Sequence, residues 1–149
     1  MRVQDIMTTS VRSIPPNLDT AAARHTMKSA RVRHLVVVDD GRVVGVLSQR
    51  DLGGTREESL PAGTVQSVMR SHIVVAAPET SVREAANLLR GHNIGCLPVV
   101  EGKKLVGIVT TSDLLRIIGQ GVEKGVERST RWTLKGRGPR AAPVKRAKR

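Results

Sequence analysis

Two short strings in the chain combine a glycine, a hydroxyl and a carboxylate at one spacing: Gly45-Val46-Leu47-Ser48-Gln49-Arg50-Asp51 and Gly107-Ile108-Val109-Thr110-Thr111-Ser112-Asp113. In each, an apolar run of β type ends at Ser48 or Thr110 and a helical pattern follows. A hydroxyl at a strand-to-helix junction lies where unpaired backbone N–H groups point outward, a natural place for an anion. An Asp three residues on repels phosphate but accepts two hydrogen bonds from a vicinal diol, so one short segment can recognise sugar and phosphate together. The same spacing also describes a helix-capping box, in which hydroxyl and carboxylate satisfy the first helical turn and nothing binds. Capping alone, however, requires neither the glycine nor a second copy.

Other groups offer less chemistry. His25, His34, His72 and His92 show no metal-ligand spacing, and a lone Cys96 makes neither a thiolate zinc site nor an internal disulfide. Cys96 also has no sequence-local base, which makes it a small buried residue rather than a nucleophile. No phosphate loop and no catalytic triad is visible, so the expectation is a protein that performs no chemistry. Arg31, Arg33 and Arg50 surround the first string, where the second has Asn93, Gly95 and Ser112. The first site therefore lies among cations suited to phosphate, or beside solvated arginines.

These strings have to be held by a small fold. The 149 residues contain no Phe, no Tyr and one Trp, so the core must be built from Val, Leu, Ile, Ala and Met. No apolar run approaches the roughly 18 residues of a membrane span, and no secretory signal opens the chain. The expected compartment is the cytoplasm. Of the formal charge of +12, residues 119–149 carry +8, from ten Lys/Arg against Glu123 and Glu127. From Gly119 onward the hydrophobic period disappears and Gly, Pro and charge take over, which predicts a flexible basic tail attracted to polyanions without sequence preference.

Sliding the sequence by 62 positions aligns 3–52 with 65–114 without a gap and with twelve identities, nearly all apolar or at turns. Each copy reads as a short strand stopped by Pro16 or Pro78, a helix started by Asp19 or by Ser81 with Glu84, and a hairpin turning at 39–41 or 101–102. A second helix follows Ser48 or Thr110. The predicted fold class is α/β (α+β), the order β-α-β-β-α occurring twice. Copies of about fifty residues are too small to be stable alone and should pack about a pseudo-two-fold axis. The expected division is 1–53 for the first repeat, 54–64 for a linker, 65–118 for the second repeat and 119–149 for the tail.

Over residues 3–118 the pattern resembles a tandem pair of CBS (cystathionine β-synthase type) domains. The carriers of the resemblance are the two Gly-hydrophobic-hydrophobic-Ser/Thr-x-x-Asp strings, each preceded by Leu35-Val36-Val37-Val38 or Leu97-Pro98-Val99-Val100. Pro98 matches the family's Leu-Pro-Val string, and Val36 departs from it. The resemblance implies a regulatory sensor that binds an adenosine-type small molecule such as AMP, ADP, ATP, S-adenosylmethionine or NAD, with Asp51 and Asp113 on ribose and Ser48 and Thr110 near ribose or phosphate. Backbone readers of the base would come from Val11 to Ser13, Ile73 to Val75, Arg33-His34 and Gly95-Cys96, with Arg50 beside the first site. It also implies a homodimer, for which Leu114, Leu115, Ile117 and Ile118 offer an apolar contact, and a separate protein target. The competing expectation is a dimerising scaffold that attaches to nucleic acid through its basic tail.

Overall fold

A computed structural model describes residues 1–122; the rest of the basic segment, including Trp132 and the proposed nucleic-acid contact, lies outside the described residues. Residues 1–115 form one compact unit of mixed α and β structure. Asp19 starts α1 (Thr20–Ala30) by accepting the Ala21 amide at 2.7 Å, and Ser81 starts α3 (Val82–Gly91) by accepting the Glu84 amide at 3.1 Å. These are the two predicted N-caps. The hairpins also form where alternation and turn residues place them: β2 (His34–Asp39) with β3 (Arg42–Ser48), and β4 (Cys96–Glu101) with β5 (Lys104–Thr110). Both carry a register shift at the same offset, between Val37 and Val38 and between Val99 and Val100.

Four elements differ from the sequence reading. The first strand of the first repeat shrinks to β1 (Ser13–Ile14), parallel to β2. Its counterpart in the second repeat is a single bridge between Ala76 and Val99. Pro98 explains the difference. Val36 donates its amide to the Arg12 carbonyl at 3.2 Å, but Pro98 at the equivalent position has no N–H to give Val74. The second helix of the first repeat is only a 3-10 turn (Gln49–Leu52), ended by Gly53 at φ 77°. In the second repeat the same position opens α4 (Thr111–Val122), which runs past the predicted end of the repeat.

The two repeats exchange their N-terminal segments. Residues 64–70, which include α2 (Val65–Val68), pack on the first repeat: Val65 and Gln66 donate to the carbonyls of Leu18 and Pro16, and Arg70 exchanges two hydrogen bonds with Val46 at 2.9 and 3.0 Å. Residues 2–8 do the same on the second repeat, through Val3 to Thr80, Gln4 to Pro78 and Thr8 with Ile108. Every one of these bonds has its partner 62 residues away, so the pseudo-two-fold relation extends to the exchange. Val65 is fully buried in the first repeat's core with Ile14, Ala23, Met27, Leu35, Val37, Leu47 and Leu52. Burying such a side chain contributes about 1.5–3 kcal/mol, which the first repeat obtains only from the second repeat's sequence. The exchange also accounts for the motif glycines. A Cβ at Gly45 would sit 2.6 Å from Met69 Sδ, and one at Gly107 the same distance from Met7 Sδ.

Candidate functional site

The motif of the first repeat borders a cleft of about 380 Å³, within the range of small-molecule sites. Ser48 and Asp51 lie on one wall with Arg33, His34 and Arg50, and the opposite side comes from the second repeat through Ile73, Gly95 and Cys96. The exchange explains why both repeats contribute: once Arg70 pairs with Val46, the chain running on to His72 and Val74 must pass the end of β3. Eight predicted site residues are thus brought together. Val11, Ser13, Val75, Thr110 and Asp113 lie outside this cleft. Val11 packs on the cluster of Val36, Cys96 and Ile108, Ser13 is exposed in β1, and Val75 is 42% exposed. Thr110 and Asp113 repeat two of the first motif's internal bonds at the start of α4: Asp113 Oδ2 accepts from the Thr110 amide at 2.8 Å and from the Thr110 hydroxyl at 3.0 Å.

The motif does cap, and capping leaves one oxygen over. Asp51 Oδ2 accepts from the Ser48 amide at 2.7 Å and from the Ser48 hydroxyl at 2.8 Å, while the Asp51 amide reaches back to Ser48 Oγ at 3.3 Å. Oδ1 takes no part in the cap. It lies 3.6 Å from Nε of Arg70, whose side chain is half exposed, so the pair is a weak, solvent-screened one. Neither Arg70 nor His72 was among the residues predicted from the motif, and Val46, Gln49, Asn93 and Ile94 also line the cleft without having been predicted as site residues, whereas Val74 lies within the expected segment Ile73 to Val75. One sequence signal was available for Arg70. It aligns with Thr8, so a cation stands where the other copy has a neutral residue.

Three arginines, Arg33, Arg50 and Arg70, face this cleft against the single carboxylate of Asp51. Burial, reinforced by the Arg33 charge and only partly opposed by Asp51, holds His34 below the ordinary histidine range, so its imidazole is neutral at pH 7. Burial and then the Asp51 charge push the Cys96 thiol up to about 12, which keeps it protonated and without nucleophilic character. His34 Nε2 would lie 2.7 Å from a Cβ at Gly95, so the absence of a side chain there lets the imidazole approach from the first repeat. With a neutral imidazole, a thiol and aliphatic walls, the inner cleft suits an uncharged ring, and its arginine-lined part suits an anion.

The architecture defines a tandem-repeat α/β module with a cleft between exchanged halves. The CBS domain family matches residues 3–52 and 65–120, and the chain belongs to that family. It is 36% identical over 114 residues to the CBS domain-containing protein YhcV of Bacillus subtilis, covering 75% of this chain and 81% of that one. It is 28% identical over 123 residues to the A-adding tRNA nucleotidyltransferase of Geobacter sulfurreducens, but spans only 14% of that enzyme's length. Among solved structures, the CBS domain pair of protein MJ0100 in complex with 5′-methylthioadenosine and S-adenosyl-L-methionine superposes with a TM-score of 0.73 at 25% identity, over 81% of this chain and 98% of that one. The cytosolic domain of the Mg2+ channel MgtE in complex with ATP matches with a TM-score of 0.65 at 29% identity, over 78% of this chain and 48% of that one. Fold and relatives together make the chain a tandem CBS domain pair. Among the described residues, no helix is long and apolar enough to cross a membrane.

Proposed function

We propose that the chain is a non-enzymatic sensor that binds an adenosine nucleotide in the cleft between its repeats, with the ribose on Asp51 and the phosphate among Arg33, Arg50 and Arg70. The observation that carries this reading is the division of labour on Asp51. Oδ2 serves the cap, while Oδ1 is held only by a half-exposed arginine that can follow a phosphate when a diol takes its place. The base would lie against Ile73 and Val74, where Pro98 leaves the Val74 carbonyl without its strand partner and able to accept an exocyclic amine. The relatives that hold 5′-methylthioadenosine, S-adenosylmethionine or ATP support an adenosine ligand. The excess of arginine on the cleft favours phosphate-bearing members over S-adenosylmethionine, whose sulfonium is cationic. The second motif, Thr110 and Asp113 with Val11 and Ser13, is the pseudo-symmetric counterpart, with Thr8 and Ser112 where the first has Arg70 and Arg50.

As a sensor the module acts on a separate protein target, and α4 supplies a surface for self-association. Leu115 and Ile118 are each 62% exposed, and a homodimer would cover them. Sedimentation over micromolar concentrations should show a dimer that Leu115→Glu dissociates; a strict monomer would contradict it. The nucleotide reading is tested by calorimetric titration of the full chain with AMP, ADP, ATP, NAD and S-adenosylmethionine. AMP, ADP or ATP should bind at least tenfold more tightly than S-adenosylmethionine, and a stronger response to S-adenosylmethionine would overturn the assignment of the arginines.

A further inference from the structure

Beside the nucleotide cleft lies a second cavity of about 250 Å³, between the end of α1 and the turn after β3. Its lining includes Arg24, Lys28, Arg31 and Arg33 and no carboxylate. Arg24 is the unusual member. It is 7% exposed, and its terminal nitrogens donate to the carbonyls of Arg56, Leu52 and Gly54. Its Nε is buried with no hydrogen-bond partner, and among the described residues no carboxylate pairs with the guanidinium. A buried charge held only by neutral carbonyls is costly, and an orphaned charged donor adds to that cost.

The carbonyls clamp the loop that leaves the first repeat, but they supply no counter-charge. The C-terminal end of α1 explains one nearby cation such as Lys28 and not four. In the second repeat the equivalent positions hold Ala86, Arg90, Asn93 and Gly95, so three of the four cations belong to the first repeat alone. Arg33 and Gln49 line both this cavity and the nucleotide cleft.

We propose that this cavity is a binding site for a phosphate-class anion of pyrophosphate size, supplied either as the free anion or as the terminal phosphates of a nucleotide seated in the adjoining cleft. The anion is held by Lys28, Arg31 and Arg33 and completes the neutralisation of Arg24. Its second source rests on the nucleotide reading above, and its first does not.

The test is calorimetric titration of the full chain with inorganic pyrophosphate at fixed ionic strength, repeated on the double variant Lys28→Gln/Arg31→Asn. Lys28 is exposed, and Arg31 has φ 55° where the second repeat has Asn93 at φ 52°, so Asn suits that backbone and the fold is kept. Arg24 is left intact to preserve the loop clamp. Pyrophosphate should bind the natural chain and lose at least tenfold in affinity in the variant, while AMP affinity changes less than twofold. If ATP displaces pyrophosphate and AMP does not, the anion is the nucleotide's tail; if neither displaces it, the site takes the free anion. Failure of pyrophosphate to bind, or equal binding to both proteins, overturns the proposal even where AMP binds normally. Conversely, pyrophosphate binding that depends on Lys28 and Arg31 stands even if no nucleotide binds.

Discussion

The two repeats share a backbone and differ in what the backbone presents. Their hairpins carry the same register shift, their N-terminal segments are exchanged through equivalent hydrogen bonds, and both motifs close the same internal cap. The first copy places Arg70 on its aspartate where the second has Thr8, carries Arg33 where the second has Gly95, and buries Leu52 where the second leaves Leu114 half-buried. Only the second has a proline in its central strand, and that proline frees a carbonyl on the first copy's cleft. Residues common to both copies build the fold, and residues that differ set the charge of the first cleft.

The comparison is broken most strongly in the core. Leu52 is 1% exposed and closes the first repeat's cluster. Leu52→Ala should cost about 2–5 kcal/mol in denaturant unfolding, and Leu114→Ala clearly less. Comparable losses at the two positions would mean that the repeats are packed more equally than the structure shows. Next in size is Pro98→Val, which restores an amide that can bond the Val74 carbonyl as Val36 bonds Arg12. Nucleotide affinity should fall by about 1 kcal/mol while stability holds or rises, because the base loses an acceptor to the sheet. Unchanged affinity would remove Val74 from the account.

Smaller effects probe the charges. Arg70→Thr makes the first motif resemble the second. Because the ion pair is half exposed, unfolding stability should change by roughly 0–1 kcal/mol, whereas AMP affinity should fall several-fold. A large loss of stability would make Arg70 a structural residue instead. The smallest effect is that of pH. His34 has its folded-state pKa lowered, so the unfolded chain binds more protons just below pH 6.5, and stability should decline as pH falls from there to the folded-state value. In His34→Gln that part of the acid limb should flatten in thermal melts; an unchanged profile would assign it to other groups.

Much of this was legible in the sequence because it is local. Asp19 and Ser81 announce helix starts, and the Gly45 and Gly107 strings mark equivalent strand ends in a gapless repeat. What was not legible depends on which partner a segment chooses. Val3 and Val65 are identical residues at equivalent positions, so nothing local says that Val65 fills the first repeat's core while Val3, fully buried, pairs with Thr80 of the second, and with that exchange went the placement of Arg70 and His72 in the first cleft. The helix expected after Ser48 stops after one turn because Gly53 and Gly54 both adopt positive φ, whereas the equivalent Leu115 and Arg116 continue α4. The empty capacity of Arg24 has no sequence signal at all, since an arginine on a helix reads as solvated.

The central claim is that one motif, at Asp51, is a ribose site and more than a cap. It is tested most directly by titrating AMP into the natural chain, Asp51→Asn and Asp113→Asn by calorimetry, with a thermal melt of each without ligand. Asparagine keeps an acceptor for the cap but loses the charge. The account predicts that Asp51→Asn weakens AMP binding by about 1–3 kcal/mol, that Asp113→Asn leaves that binding event nearly unchanged, and that the two unliganded melts shift little. Equal destabilisation of both variants with AMP affinity untouched would contradict it and leave Ser48 and Asp51 as a helix cap.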